Sequence, residues 1–181
     1  MGRRPTGLAR GGLARGGQKG GLKEAFGAEI AAEIEALVGE GAVEDWDFEA
    51  IEMAARREAL RVAVRAVEAR LNADTSDHAG PTLRCDCGKA ARYAGRREKT
   101  FQTAMGELTL WRAYYHCDAC EAGFCPRDRT LGLEDTSLSP AVTRMVGLAA
   151  AMVSFAEGSE LMQELAGVPV DAKHVERTAE A

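Results

Sequence analysis

The sequence contains no run of about 18 consecutive apolar residues, so no membrane-spanning helix is expected. Its first 21 residues, MGRRPTGLARGGLARGGQKGG, lack both an acid and the apolar centre of a secretory signal. Without an export signal the cysteines are expected in a reducing cytoplasm, where close pairs favour metal over disulfides. The chain also lacks an overall basic charge. Its formal net charge of −5 speaks against a uniformly basic nucleic-acid binder and moves attention to how the charges are distributed. No thioredoxin-like βαβ pattern surrounds its C-x-x-C pair, which speaks against a thiol-dependent enzyme and leaves it a third reading.

What is present has room for one domain or two small ones in 181 residues, with an ordinary globular share of apolar side chains. Residues 1–21 carry Arg3, Arg4, Arg10, Arg15 and Lys19 among many glycines, in two near-copies of LARGG. Such a stretch cannot build a core and reads as a disordered basic arm that neutralises phosphates. A misplaced start codon or an appended scar is the other reading. From Leu22 apolar residues recur at helical spacing (Leu22, Phe26, Ile30, Ile34, Leu37) until Gly39–Gly41 breaks the pattern. A second helix is predicted from Asp47, a good N-cap, towards Leu71, with Leu60, Val64, Val67 and Leu71 on one face. Residues 22–78 form an acidic helical region, which packs or dimerises rather than touching phosphate. The turn-forming NADTSDHAGP, Asn72 to Pro81, ends it.

Four of the five cysteines lie in RCDCGKAARYAGRREKTFQTAMGELTLWRAYYHCDAC, as close pairs at its two ends. Between them, strand-like alternation at Tyr93, Thr100–Thr103 and Leu108–Tyr115, with a turn at Met105–Glu107, predicts an antiparallel hairpin. Two cysteine knuckles joined by a hairpin describe a zinc ribbon within residues 79–130. Thiolates suit zinc, which takes four ligands tetrahedrally, and a closed four-thiolate site is structural rather than catalytic. Cys85, Cys87, Cys117 and Cys120 are the expected ligands. The first knuckle is one residue shorter than the usual C-x-x-C, which leaves His116 or Cys125 as alternatives for one thiolate. Cys125 otherwise reads as a small buried hydrophobe, and His78 and His174 as surface or capping residues. Arg92, Arg96, Arg97, Lys99 and Arg112, interleaved with Tyr93, Trp111, Tyr114 and Tyr115, have the composition of a nucleic-acid-binding ribbon. A solvated strand face over an aromatic core has it too.

Residues 139–181 read as helical. Ser139-Pro140 places an N-cap and an N1 proline, and Ser154 with Glu157 makes a capping box. Ala156, Leu161 and Leu165 are predicted to face inwards, Gly167 to close that helix, Val168 and Val170 to fill the corner, and Asp171 to cap a last helix whose inner face starts at Val175. That order is the grammar of a helix-turn-helix with Lys173, His174 and Arg177 outward; an ordinary αα-corner has the same grammar. No cap follows before Ala181, which predicts a truncated fragment.

The cysteine-bounded segment, GFCPRDRTLGL, DFEAIEMAARREAL and the run from SLSPAVTRMVGLAAAMVSFAEGSELMQELAGVPVDAKHVERTAEA together resemble the N-terminal region of ISKra-type bacterial insertion-sequence transposases, over roughly Phe48 to Ala181. The resemblance implies an acidic helical N-terminus, a zinc-ribbon-like β-segment and a helical DNA-binding region, ahead of a ribonuclease-H-like catalytic domain that would begin after the last residue here. The glycine-arginine arm and the early stop depart from that pattern.

The expectation is thus an α+β chain with N-terminal helices, a central zinc-ribbon-like hairpin and a helix-turn-helix-like tail. Its role would be to bind double-stranded DNA at transposon ends in the cytoplasm, at the nucleoid, without a membrane and without a catalytic centre. The acids Asp118, Asp128 and Glu134 lie beside the ribbon with no ribonuclease-H strand order around them. From another class comes the alternative of a stand-alone zinc-ribbon interaction module, forming homodimers or mixed dimers with an intact transposase and inhibiting it.

Overall fold

The computed structural model describes residues 47–179 together with Gly27, Ala28, Ala31, Ala32 and Glu35. The chain divides into two compact units, Met1–Asp47 and Phe48–Ala181. The boundary falls inside the stretch 22–78 that the sequence reads as one acidic helical region. In the first unit Gly27, Ala28, Ala31, Ala32 and Glu35 are helical; the basic arm of residues 1–21 lies outside the described residues.

The second unit opens with α1, Phe48–Asn72, a stretch of strong helix formers with no glycine or proline, Glu49 in its first turn and Arg70 in its last. The predicted span from Asp47 to Leu71 is met within a residue at each end. Its face of Val64, Val67 and Leu71 packs on the buried cluster Phe101, Leu108, Leu110 and Leu133.

Phe101, Leu108 and Leu110 of that cluster belong to a four-stranded antiparallel sheet of order β1-β2-β3-β4: β1 Thr82–Arg84, β2 Ala90–Thr103, β3 Gly106–His116 and β4 Gly123–Phe124. The long hairpin turns between Thr103 and Gly106, where the Thr103 hydroxyl accepts from the Met105 N–H at 3.1 Å and donates to the Gly106 carbonyl at 2.7 Å. The register of β2 on β3 shifts once, between Tyr93 and Arg96, opposite Tyr114. Gly95 sits in this bulge at φ 97°, a backbone region that a side chain would strain. The extra residue reverses which side chains share a face. Arg96, not Arg97, joins Tyr93 and Tyr115, while Arg97 and Lys99 turn to the face of Arg112 and Leu110.

β4 covers only Tyr115 and His116 of β3. The rest of that edge is satisfied by side chains. Glu68 accepts from Thr109 N–H at 2.8 Å, Asn72 donates to Thr109 O at 2.9 Å and accepts from Trp111 N–H at 2.8 Å, and Asp77 accepts from Ala113 N–H at 2.7 Å. The end of α1 and its following loop thus stand in for a fifth strand, a device that blocks edge-to-edge association. The Asp77 carboxylate, 3% exposed, is also gripped by Arg96 at 3.0 and 3.2 Å and paired with Arg127 at 3.3 Å. Arg127 is buried on α2, Pro126–Leu131, and donates to the Leu71 carbonyl at 2.6 Å.

The last third is helical: α3 Pro140–Met152, α4 Phe155–Leu161 continued by a π-helical turn Met162–Ala166, and α5 Ala172–Ala179. The caps are those the sequence predicts: Ser139 accepts from Val142 N–H, Ser154 and Glu157 form the reciprocal box, Gly167 takes φ 66°, and Asp171 accepts from His174 N–H at 2.7 Å. One core joins all three helices, with Val142, Val146, Met162, Ala166, Val168, Val170 and Val175 buried in it. The predicted inward phase of α4 is corrected. Ala156 is exposed, Leu161 is 38% exposed and Leu165 70% exposed; the buried positions are Gly158, Met162 and Ala166. The reason is close approach. A Cβ on Gly158 would stand in ordinary contact, 3.5 Å from Val175 Cγ1, so α5 packs where α4 leaves room for little more than a methyl group. This helical unit is fastened to the hairpin's turn end, where Gln102 N–H donates to Ser137 O at 2.7 Å and Ser139 N–H to Gln102 O at 2.9 Å.

Because Asp77 balances two arginines and a strand-edge N–H, Asp77→Ala should lower stability by about 3–5 kcal/mol, the cost of leaving buried charge uncompensated. Chemical denaturation followed by far-UV circular dichroism measures it; a loss under about 1 kcal/mol would mean that the cluster is solvent-relaxed.

Candidate metal centre

The two cysteine pairs arrive at one place because the hairpin brings its ends together. Each is held in a tight turn: Cys85 N–H donates to Lys89 O and Gly88 N–H to Cys85 O, both at 2.8 Å, with Gly88 at φ 84°, while Cys117 N–H donates to Ala122 O at 2.9 Å. The four sulfurs of Cys85, Cys87, Cys117 and Cys120 lie within 4.8 Å of one another, with Cys85–Cys120 and Cys87–Cys117 each at 3.6 Å. A disulfide needs about 2.05 Å, so these are thiols. Four sulfurs around an ion at a metal–sulfur distance of about 2.3 Å would stand about 3.8 Å apart, close to the short pairs found here. The cluster is positioned to hold a metal ion. Two of its members are buried and two exposed.

The alternatives of His116 and Cys125 fall away on geometry. His116 points its Nε2 at Asp118, 3.8 Å away, and Cys125 is buried before α2; neither is a member of the cluster. Burial pushes the Cys125 thiol up, in keeping with its reading as a small hydrophobe.

The electrostatics of the cluster are those of a site that needs a cation. The Ala119 backbone N–H aimed at Cys117 sulfur lowers that thiol to about 7 despite its burial. At Cys120 the Ala122 N–H also favours the thiolate, but the sulfurs of Cys87, Cys85 and Cys117 outweigh it and push the group up to about 12. Cys85 is helped by the Cys87 N–H and by the Cys120 sulfur, and still ends above its ordinary value through burial and the sulfurs of Cys87 and Cys117. Four negative sulfurs cannot share this space alone, because each raises the cost of ionising the next.

The cationic residues predicted to meet DNA do not share one environment. Arg112 is corrected: it is 6% exposed, ion-paired with Asp128 beneath the sheet, and not available to a phosphate. Burial pushes the Asp128 carboxyl up while Arg112 pulls it back. Arg96 is likewise committed, to Asp77. Lys99 is half-buried, donating to Thr136 O at 2.8 Å above the Phe101 ring. Arg92 is exposed and paired with Asp118. Arg97 is the exception on the hairpin: exposed, its guanidinium stacked 3.6 Å over the Tyr114 ring. Lys173 and Arg177 are exposed on α5 as predicted. Arg144, another exposed cation of the helical unit, carries no sequence signal of its own. The aromatic residues divide too, with Tyr115 fully buried and Trp111 48% exposed. No protein-family model matches the chain, and no curated protein is similar to it.

Two outcomes follow from this geometry. Metal must displace thiol protons, and because Cys85 and Cys120 hold theirs well above pH 7, its affinity should fall across the whole range from pH 8 to pH 6, roughly tenfold per pH unit for each proton displaced, with Cys117 adding to the loss below about 7; competition against a chromophoric chelator at pH 6 and pH 8 reads this, and a pH-independent affinity would contradict it. Separately, a Cβ on Gly123 would lie 1.9 Å from the Tyr114 hydroxyl. Gly123→Ala should therefore swing the ring from under Arg97 while leaving metal stoichiometry unchanged, seen as a changed near-ultraviolet circular dichroism spectrum.

Proposed function

We propose that this chain is the DNA-recognition part of an insertion-sequence transposase, with a structural zinc in the four-cysteine site and a helix-turn-helix formed by α4 and α5. The observation that carries the reading is the helical unit. Three helices share one core, the corner after Gly167 is filled by Val168 and Val170, and α5 buries Val175 while leaving Lys173 and Arg177 exposed. That is the arrangement in which a second helix is free to enter a major groove. The transposase assignment itself rests on the sequence resemblance. Zinc is favoured over other ions because four thiolates form a soft, closed, tetrahedral set with no open position for chemistry. Its role is to hold the knuckles, and with them the hairpin, in place. On the hairpin, Arg97 is the residue best placed to add a phosphate contact. The net charge of −5 does not oppose this, since affinity follows the local field of the exposed cations.

A second reading, an interaction module, is favoured by exposed apolar side chains on α3 and the π-helical turn, Leu148 at 56%, Met152 at 82% and Leu165 at 70%.

The purified chain should contain about one zinc, and its removal by chelator should disorder the hairpin, because binding energy is folding energy in small metal modules. Cys87→Ser should lose the metal and Cys125→Ser keep it. Zinc-loaded protein titrated with duplex DNA should bind with an affinity that falls steeply with salt, and selection from a random duplex library should return a preferred site. Absence of binding at low salt would remove the DNA reading in favour of the interaction module, whose mark is concentration-dependent dimerisation in light scattering.

A further inference from the structure

The charges of the helical unit are unevenly distributed, with Glu176 the one acid within α5. α4 and its π-helical turn carry Glu157, Glu160 and Glu164 and no cation, whereas the cations of residues 139–179 are Arg144 on α3 and Lys173 and Arg177 on α5. Arg144 and Arg177 line the same groove, about 850 Å³, between the start of α3 and the outer side of α5. Thr143 lines it as well and supplies a hydroxyl donor, whereas the Thr178 hydroxyl is committed to the His174 carbonyl at 2.8 Å. Neither arginine enters an ion pair among the described residues. Of the acids on the groove's rim, Glu134 is held by Arg129 at 2.9 Å, which leaves Asp135 as the unneutralised one. Lys173 is outside the groove, one turn earlier and near the start of α5.

We propose that the phosphate backbone of duplex DNA seats in the groove between α3 and α5, anchored by Arg144 and Arg177, and that α4 faces away from the duplex. The inference rests on the helix-turn-helix reading and departs from the usual docking of that motif, in which the helix before the recognition helix crosses the backbone. Here that helix is acidic and would repel phosphate, while the cations that complement DNA are on the helices either side of it. The three cations then divide their work by position. Lys173, near the N-terminal end of α5, is where a recognition helix meets base edges. Arg177 is a turn further on and lines the groove together with Arg144, so it positions without reading sequence.

The test compares zinc-loaded full-length chains, binding a short random-sequence duplex by fluorescence anisotropy across a salt series. Arg144→Gln and Arg177→Gln should each lower the log–log salt slope by about 0.9, so that the affinity lost between about 50 and 200 mM salt shrinks roughly 3.5-fold per substitution. Glu160→Gln on α4 should leave slope and affinity unchanged, and Lys173→Gln, put through selection from a random duplex library, should return a different preferred site from the wild type. All four side chains are exposed, and unchanged zinc content and far-ultraviolet circular dichroism confirm that the fold is kept. If wild type binds but Arg144→Gln keeps its slope, or Glu160→Gln raises affinity as much as Arg144→Gln lowers it, the duplex does not lie between α3 and α5 and the inference fails alone. If wild type does not bind at low salt, the helix-turn-helix reading fails with it.

Discussion

The second unit depends on how the open edge of β3 is satisfied. A strand edge with no neighbour must give its N–H and carbonyl groups to something, and here three side chains from one continuous segment supply the partners: Glu68 and Asn72 from α1, and Asp77 from the loop that follows. Asn72 is suited to this because its amide offers a donor and an acceptor at once, as a peptide group does. The same contacts fix where α1 lies on the sheet, and hence which of its residues meet Phe101, Leu108 and Leu110. Asp77 then draws Arg96 and Arg127 inward, so α2 and the bulged strand are tied to the same carboxylate.

The sulfur cluster is the second constraint, and it acts at the opposite end of the hairpin. A small β-segment closed by Ala91, Ala113 and Tyr115 buries little apolar area of its own. An ion closing the loop from Cys85 to Cys120 would replace the missing core with metal–thiolate bonds, and the backbone N–H groups of the knuckles are already turned towards the sulfurs. Beside it, Tyr114 is held over the Cβ-less Gly123 and offers its other side to Arg97.

Much of this was legible in the sequence where the signal is local. Cysteine spacing, Ser139-Pro140, the Ser154–Glu157 box, Gly167 and the Asp171 cap all concern residues within a few positions of one another, and the structure has each in place. The failures share a cause. Whether Arg96 or Arg97 faces out depends on one extra residue at Gly95, which nothing in the alternation announces. Arg112 and Arg127 find their carboxylates across folds of 16 and more residues, so a run of arginines read as a positive surface is in part buried ion pairs. The side chains of Leu161 and Leu165 argued for the wrong face, because Val175 packs on Gly158, where there is room for little more than a methyl group.

The two ends of the hairpin are pinned by unrelated means, sulfur at one and the backbone seam from Gln102 to Ser137 and Ser139 at the other. The strands between them therefore work as a ruler. From Tyr93 to Thr103 the spacing is on the order of 33 Å at about 3.3 Å per residue. Its gradations are pairs of residues, since adding or removing one residue from each strand would turn every side chain to the other face, whereas two would change the length and keep the faces. Evolution could lengthen or shorten the distance between knuckles and helices only in steps of roughly 7 Å.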